Sequence, residues 1–216
     1  MKAPLRSMGS SWISTRKLHF FSGLTLTVFI AIHLFNQAAA VAGPERHIQI
    51  MNAARTIYRN PLIETVLMGA VLVQIISGIR LIGKRSKAFA FSFEVVQLYS
   101  GMYLAFFLVA HVFAVMMGRS LNIDTNYYFA AAGLNFFPFV LFYVPYYTLA
   151  IISVFGHIAA VHHKNMRHRL LGCSVRLQSR LILVLGAIFA LFVIYAMTGR
   201  FHGILLPEAY RFLIGG

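Results

Sequence analysis

The chain has 216 residues, of which 59% are hydrophobic and 11% charged, with a mean hydropathy of +0.75. That composition excludes an ordinary soluble globular domain. Nineteen Lys and Arg against five Asp and Glu give a formal charge of +14, but the cations lie between hydrophobic stretches, so they report membrane topology rather than nucleic-acid binding.

A membrane-crossing helix needs about 20 mostly apolar residues. Five stretches meet that requirement, at about 18–42, 62–83, 94–118, 138–163 and 178–199. They predict an all-α integral membrane fold, with residues 1–216 forming a single transmembrane domain and no separate soluble catalytic domain. The first span runs into Gln37-Ala38-Ala39-Ala40-Val41-Ala42-Gly43, which looks like a signal-peptidase site. The apolar stretch before it is longer than a signal h-region, so it is read as a retained helix.

After the first span, Ile48, Met51, Ala54, Ile57 and Tyr58 recur at helical spacing, with Arg55 and Arg59 on the polar side. They predict an interfacial helix at about 44–58, in which His47 is an interfacial residue. Glu64, just inside the second span, suits the positive end of a helix dipole. As an acid at bilayer depth it is also a candidate, with His19 at the opposite mouth, for quinone or proton chemistry. Asp124 lies in the third connection, and Tyr127, Tyr128, Tyr143, Tyr146 and Tyr147 read as an interfacial aromatic belt. The run HHKNMRHRLLGC after the fourth span, with His162, His163 and His168, reads as a solvated basic loop able to dock an acidic partner or anionic lipid. Cys173 is the only cysteine, which excludes an intrachain disulfide, a four-cysteine iron–sulfur site and covalent haem attachment.

Thirteen of the cations fall before span one (Lys2, Arg6, Arg16, Lys17), around the second connection (Arg80, Lys84, Arg85, Lys87) and around the fourth (Lys164, Arg167, Arg169, Arg176, Arg180). Six fall on the other side: Arg46, Arg55, Arg59, Arg119, Arg200 and Arg211. The positive-inside rule therefore predicts a cytoplasmic N-terminus and an external C-terminus.

The chain aligns with itself at an offset of 78, LHFFSGLTLTVFIAIHLF (18–35) over VQLYSGMYLAFFLVAHVF (96–113). Identities fall at Ser22/Ser100, Gly23/Gly101, Leu26/Leu104, Phe29/Phe107, His33/His111 and Phe35/Phe113. Counted back from the histidine, Phe at −4, Leu at −7 and Ser at −11 lie on one helical stripe, so the repeat predicts a shared face. Spans two and four align more weakly through Pro61 and Pro145, which predicts a four-helix core of two repeated hairpins plus a fifth helix.

A lone intramembrane histidine is more often a hydrogen-bonded packing residue than a ligand, but two at matching repeat positions reverse those odds. At 1.5 Å per residue His33 lies about 24 Å beyond Lys17 and His111 about 26 Å beyond Glu94, both in the outer half of the bilayer. Bis-imidazole ligation from opposing helices is how a b-type haem is held in a bundle core, so His33 and His111 are its candidate axial ligands. Gln74 and His157 form a second, inner pair, of which Gln74 is a poor iron ligand and His157 a good one.

Five spans, ligand positions in the first four, and Ser22-Gly23 at the entrance of span one resemble the cytochrome b membrane anchor of succinate:quinone oxidoreductases and fumarate reductases, in its single-chain five-helix form. The similarity covers about residues 16–164. It implies an outer haem on His33 and His111, and an inner haem from the second and fourth helices. The fourth-helix position is met by His157, while the second-helix pattern of His, three residues and Gly reads Gln74-Ile75-Ile76-Ser77-Gly78. The family's His-Arg-x-Ser/Thr-Gly entrance reads His19-Phe20-Phe21-Ser22-Gly23, with Phe20 where a quinone-site arginine would stand. The resemblance further implies a bacterial inner membrane, a quinone, and flavoprotein and iron–sulfur subunits on the cytoplasmic face. The chain itself would be at most the non-catalytic electron-transfer subunit. The alternative reading is a haem-free or haem-storing scaffold on the same bundle.

Overall fold

The computed structural model describes residues 14–82 and 92–215. The predicted topological cations Lys2, Arg6, Lys84, Arg85 and Lys87 lie outside the described residues. The described chain is helical, with an isolated bridge between Leu170 and Cys173 and no strand. Five helices are long and apolar enough to cross a membrane: α1 (Thr15–Ala39, extended by a 3-10 turn to Ala42), α3 (Pro61–Ile82), α4 (Phe93–Ser120), α6 (Val140–Asn165) and α7 (Val175–Met197). They match the five predicted spans to within a few residues. The predicted interfacial helix is α2 (Pro44–Tyr58), with Pro44 at its first turn, where a missing N–H costs nothing.

Helix starts are written into the sequence by serine caps. The Ser14 hydroxyl accepts from Lys17 N (3.3 Å), Ser92 from Val95 N (3.4 Å) and Ser174 from Leu177 N (3.3 Å). Ser14 and Ser92 are themselves 78 residues apart, so the internal repeat extends to the caps of α1 and α4.

The two predicted hairpins form: α1 packs on α3 and α4 on α6. The fifth helix, α7, lies mainly along α6. Gly186 permits that approach, since a Cβ there would overlap Phe155. Gly186→Leu is therefore expected to destabilise the bundle by about 1–3 kcal/mol, the usual scale of overpacking. Thermal unfolding in detergent measures this, and no change in midpoint would show that α7 is not closely seated.

The third connection departs from its reading as belt and loop. Residues Tyr127–Asn135 form a further helix, α5, capped by Asn126, whose side chain accepts from Tyr128 N at 2.9 Å. Tyr127, Ala131 and Leu134 are buried in a core shared with Ile151, Ala190 and Val193. Tyr127 and Tyr146 are thus core residues rather than an aromatic belt; small alanines on α5 let it settle onto the bundle end and carry Tyr127 inward. His162 also differs from a solvated loop residue: its Nε2 pairs with Gln178 Oε1 at 2.9 Å, joining α6 to α7.

Candidate functional site

The repeat-related residues do share one face. Gly23, Leu26, Phe29 and His33 of α1, with Gly101, Leu104, Phe107 and His111 of α4, line a single cavity of about 1520 Å³. That exceeds the roughly 300–1,000 Å³ of a usual small-molecule pocket. Phe35 and Phe113, the last identity of the repeat, point the other way and are 64% and 65% exposed, as lipid-facing residues should be. The cavity separates the two hairpins and holds polar groups at two levels, a lower one at the end where α1 begins and an upper one beyond it.

At the upper level His33 and His111 face each other with ring centroids 6.1 Å apart and planes at 68°. Each ring stacks on the phenylalanine one turn earlier, His33 on Phe29 (5.8 Å) and His111 on Phe107 (5.0 Å), so the repeat sets the orientation of both. Tyr147, read as part of a belt, instead lines the cavity edge-on to His111 at 6.2 Å. Gln37 holds the other side of His33, its Nε2 lying 3.4 Å from His33 Nε2 while its Oε1 accepts from His47 Nε2 at 3.0 Å.

His47 is the functional-site neighbour that the sequence reading left in the interface. It is 2% exposed, because α2 folds back over the bundle end and presses it edge-on to Tyr127 at 5.4 Å. Burial first, then the nearby His33 and Arg55, push its pKa down to about 4. The folded chain therefore refuses a proton that the unfolded chain accepts at about 6.5. Stability should be at its full value above that pH, fall as the pH drops toward 4, and lose about 3 kcal/mol in total. Denaturation of wild type and His47→Leu across this window checks the sign: the variant should show the shallower acid dependence.

The upper mouth is cationic. Arg55, Arg59 and Arg119 line it with Glu64, and Asp124 stands beside them. Arg119 is paired with Glu64, joining α4 to α3, and Arg55 with Asp124 at 2.8 Å. Glu64 therefore serves an ion pair between the hairpins as well as its helix start. Burial, followed by the charges of Arg55 and Arg119, lowers the Arg59 pKa. Arg55 Nε and His47 Nδ1 are buried without a partner among the described residues. Three cations against two acids, with an unpaired guanidinium nitrogen, make this end receptive to a carboxylate or another anion.

At the lower level Gln74 meets Ser22 and His19 rather than His157: Ser22 Oγ donates to Gln74 Oε1 at 2.7 Å, and Gln74 Nε2 lies 3.2 Å from His19 Nε2. Ser100, on the same repeat face as Ser22, has its hydroxyl 3.3 Å from His157 Nδ1. The ring that faces His157 is His19, at a centroid separation of 6.5 Å. Sequence reading paired Gln74 with His157; the fold sets His19 opposite His157 instead, because Gln74 is tied within its own hairpin to Ser22 and His19 while the His19 ring reaches toward His157 across the cavity.

Among the described residues no group of three or more His, Cys, Asp or Glu is placed to enclose a metal ion. Two facing imidazoles at one level would instead suit a metallo-cofactor that brings its other ligands with it, held by His33 and His111. The two facing pairs are separated by 6.1 and 6.5 Å between ring centroids, both edge-on.

Fold and site together define an all-helical membrane protein whose two hairpins enclose one elongated apolar cavity with facing histidines at two levels. No protein-family model matches the chain, and no curated protein or solved structure matches it.

Proposed function

We propose that the chain is a membrane-anchoring b-type cytochrome subunit, carrying electrons between a partner's redox centre and a quinone by way of a haem held between His33 and His111. The observation that carries this reading is the pair of repeat-related histidines facing each other at 6.1 Å across an apolar cavity. Bound haem would supply one-electron redox chemistry. The chain's own residues do the rest. His33 and His111 offer neutral nitrogens, Phe29 and Phe107 fix the ring planes, and Leu26 and Leu104 keep the cavity dry. Arg55 and Arg59 at the upper mouth suit carboxylates of the macrocycle edge.

The positive-inside distribution supports a cytoplasmic lower end, and the family resemblance a bacterial inner membrane, with the described cations Arg16, Lys17, Arg80, Lys164, Arg167 and Arg169 then suited to acidic flavoprotein or iron–sulfur partners. Glu64 and His19 stand at the two ends where a quinone would exchange protons.

A dithionite-reduced minus oxidised difference spectrum, with pyridine haemochrome quantitation on the purified chain, tests this. The expected result is b-type haem bound at one or more per chain and reducible by a quinol. Absence of haem after haem-sufficient expression would move the protein to the scaffold reading.

A further inference from the structure

From the geometry of the lower level we infer a second haem site, resting on the cytochrome reading above, whose axial ligands are His19 and His157. The histidine on the first hairpin comes from its first helix, and Gln74 occupies the position that a ligand on its second helix would take.

The repeat makes this an exchange rather than a loss. At the offset of 78, His19 of α1 corresponds to Gln97 of α4. Gln74 of α3 and His157 of α6 correspond as well, because each sits against the Ser-Gly pair of its hairpin's first helix. Gln74 meets Ser22 and Gly23, and His157 meets Ser100 and Gly101. The first hairpin thus carries His then Gln, and the second Gln then His. Each hairpin still contributes one imidazole to the level, and the two rings face each other at 6.5 Å.

The surroundings of His19 are those of a held ligand. It has gained its own Ser-Gly pair, on α3: its Nδ1 lies 2.9 Å from Ser77 Oγ, and a Cβ at Gly78 would come within 3.4 Å of its Cε1. A Cβ at Gly101 would come within the same 3.4 Å of His157 Cε1. The single Ser77 hydrogen goes to the Val73 carbonyl, so its oxygen accepts from His19 Nδ1–H. His19 therefore carries its proton on Nδ1 and keeps its lone pair on Nε2, the tautomer that metal ligation needs. The Ser100 hydroxyl lies 3.3 Å from both the Gln97 carbonyl and His157 Nδ1. Gln74 donates its amide to the His19 lone pair, as Gln37 does to that of His33, so each α1 histidine is held in the ligating tautomer by a glutamine that a metal would displace.

The site also answers a physical requirement. Fourteen residues separate His19 from His33 along α1, about 21 Å at 1.5 Å per residue. A redox group at the lower level would stand between the cytoplasmic face and the upper haem, within the same cavity.

The test uses the full-length chain expressed with haem supplementation, with haem per chain and the low-spin ferric signals in electron paramagnetic resonance as readouts. Wild type should hold two haems with two distinguishable signals. His19→Ala and His157→Ala should each lose one haem and the same signal, whereas His33→Ala and His111→Ala should lose the other. The double variant His19→Leu/Gln74→His separates ligand loss from misfolding: moving the imidazole back to α3 should restore the lost haem, while His19→Leu alone should not. One haem per chain, unaltered by His19→Ala but lost in His33→Ala, would overturn the lower site and leave the cytochrome reading standing. Loss of the second signal in Gln74→Leu but not in His19→Ala would overturn the exchange. Wild type without any haem removes both.

Discussion

On the proposed cytochrome function, replacing either His33 or His111 by alanine is expected to weaken haem binding at the upper level by ~100-fold or more, since even loss of a group that only orients a metal ligand costs 10–100-fold. Neither ring has a ready substitute. The nearest other imidazole on the cavity wall, His47, is engaged by Gln37 at 3.0 Å and packed against Tyr127; Phe29 and Phe107 offer no lone pair, and the Tyr147 phenol is a hard oxygen donor. Alanine also removes the ring that stacks on Phe29 or Phe107, so helix content should be checked beside haem content. The decisive comparison is between the two single variants. If His33 and His111 serve one iron, both substitutions abolish the same spectral component, and the double variant is no worse than either single one. Independent packing roles would give separate, additive losses of stability with no common spectral loss.

Tyr127→Ala should be among the most destabilising substitutions in the chain, by about 3–5 kcal/mol, the range for deleting a fully buried aromatic side chain. Tyr127 is 1% exposed, lies edge-on to both His47 and Tyr128, and its hydroxyl donates to the Met197 carbonyl at 3.3 Å. It therefore joins α2, α5 and the end of α7. Tyr127→Phe keeps the ring and loses only the hydrogen bond, so it should cost about 1 kcal/mol. Thermal unfolding of both variants in one detergent separates the terms. A Tyr127→Ala protein as stable as wild type would mean that α5 does not anchor the bundle end. Loss of the anchor should also loosen His47 and, through Gln37, the seating of His33, so the alanine variant should lose upper-level haem on warming before wild type does.

Much of this arrangement follows from local and periodic information. Length and hydropathy determine five membrane-spanning helices, because a bilayer requires uninterrupted apolar runs whose backbone bonds close within the segment. The self-alignment determines which face turns inward, because residues 4, 7 and 11 apart share a stripe whatever the helix packs against. That was enough to bring His33 and His111 together in expectation, and the structure sets them facing each other.

Tertiary structure decided what lies between helices. His19 and Gln74 sit on neighbouring helices at almost the same depth, and sequence spacing measures depth without saying which of two equally deep residues reaches across a cavity. The His19 side chain reaches across the cavity to face His157, while Gln74 stays hydrogen-bonded within its own hairpin. His47 and Tyr127 were likewise legible as residues near an interface, but their burial depends on α2 and α5 folding back over the bundle end. Composition reports how apolar a segment is; only the packed chain determines whether lipid or protein covers it.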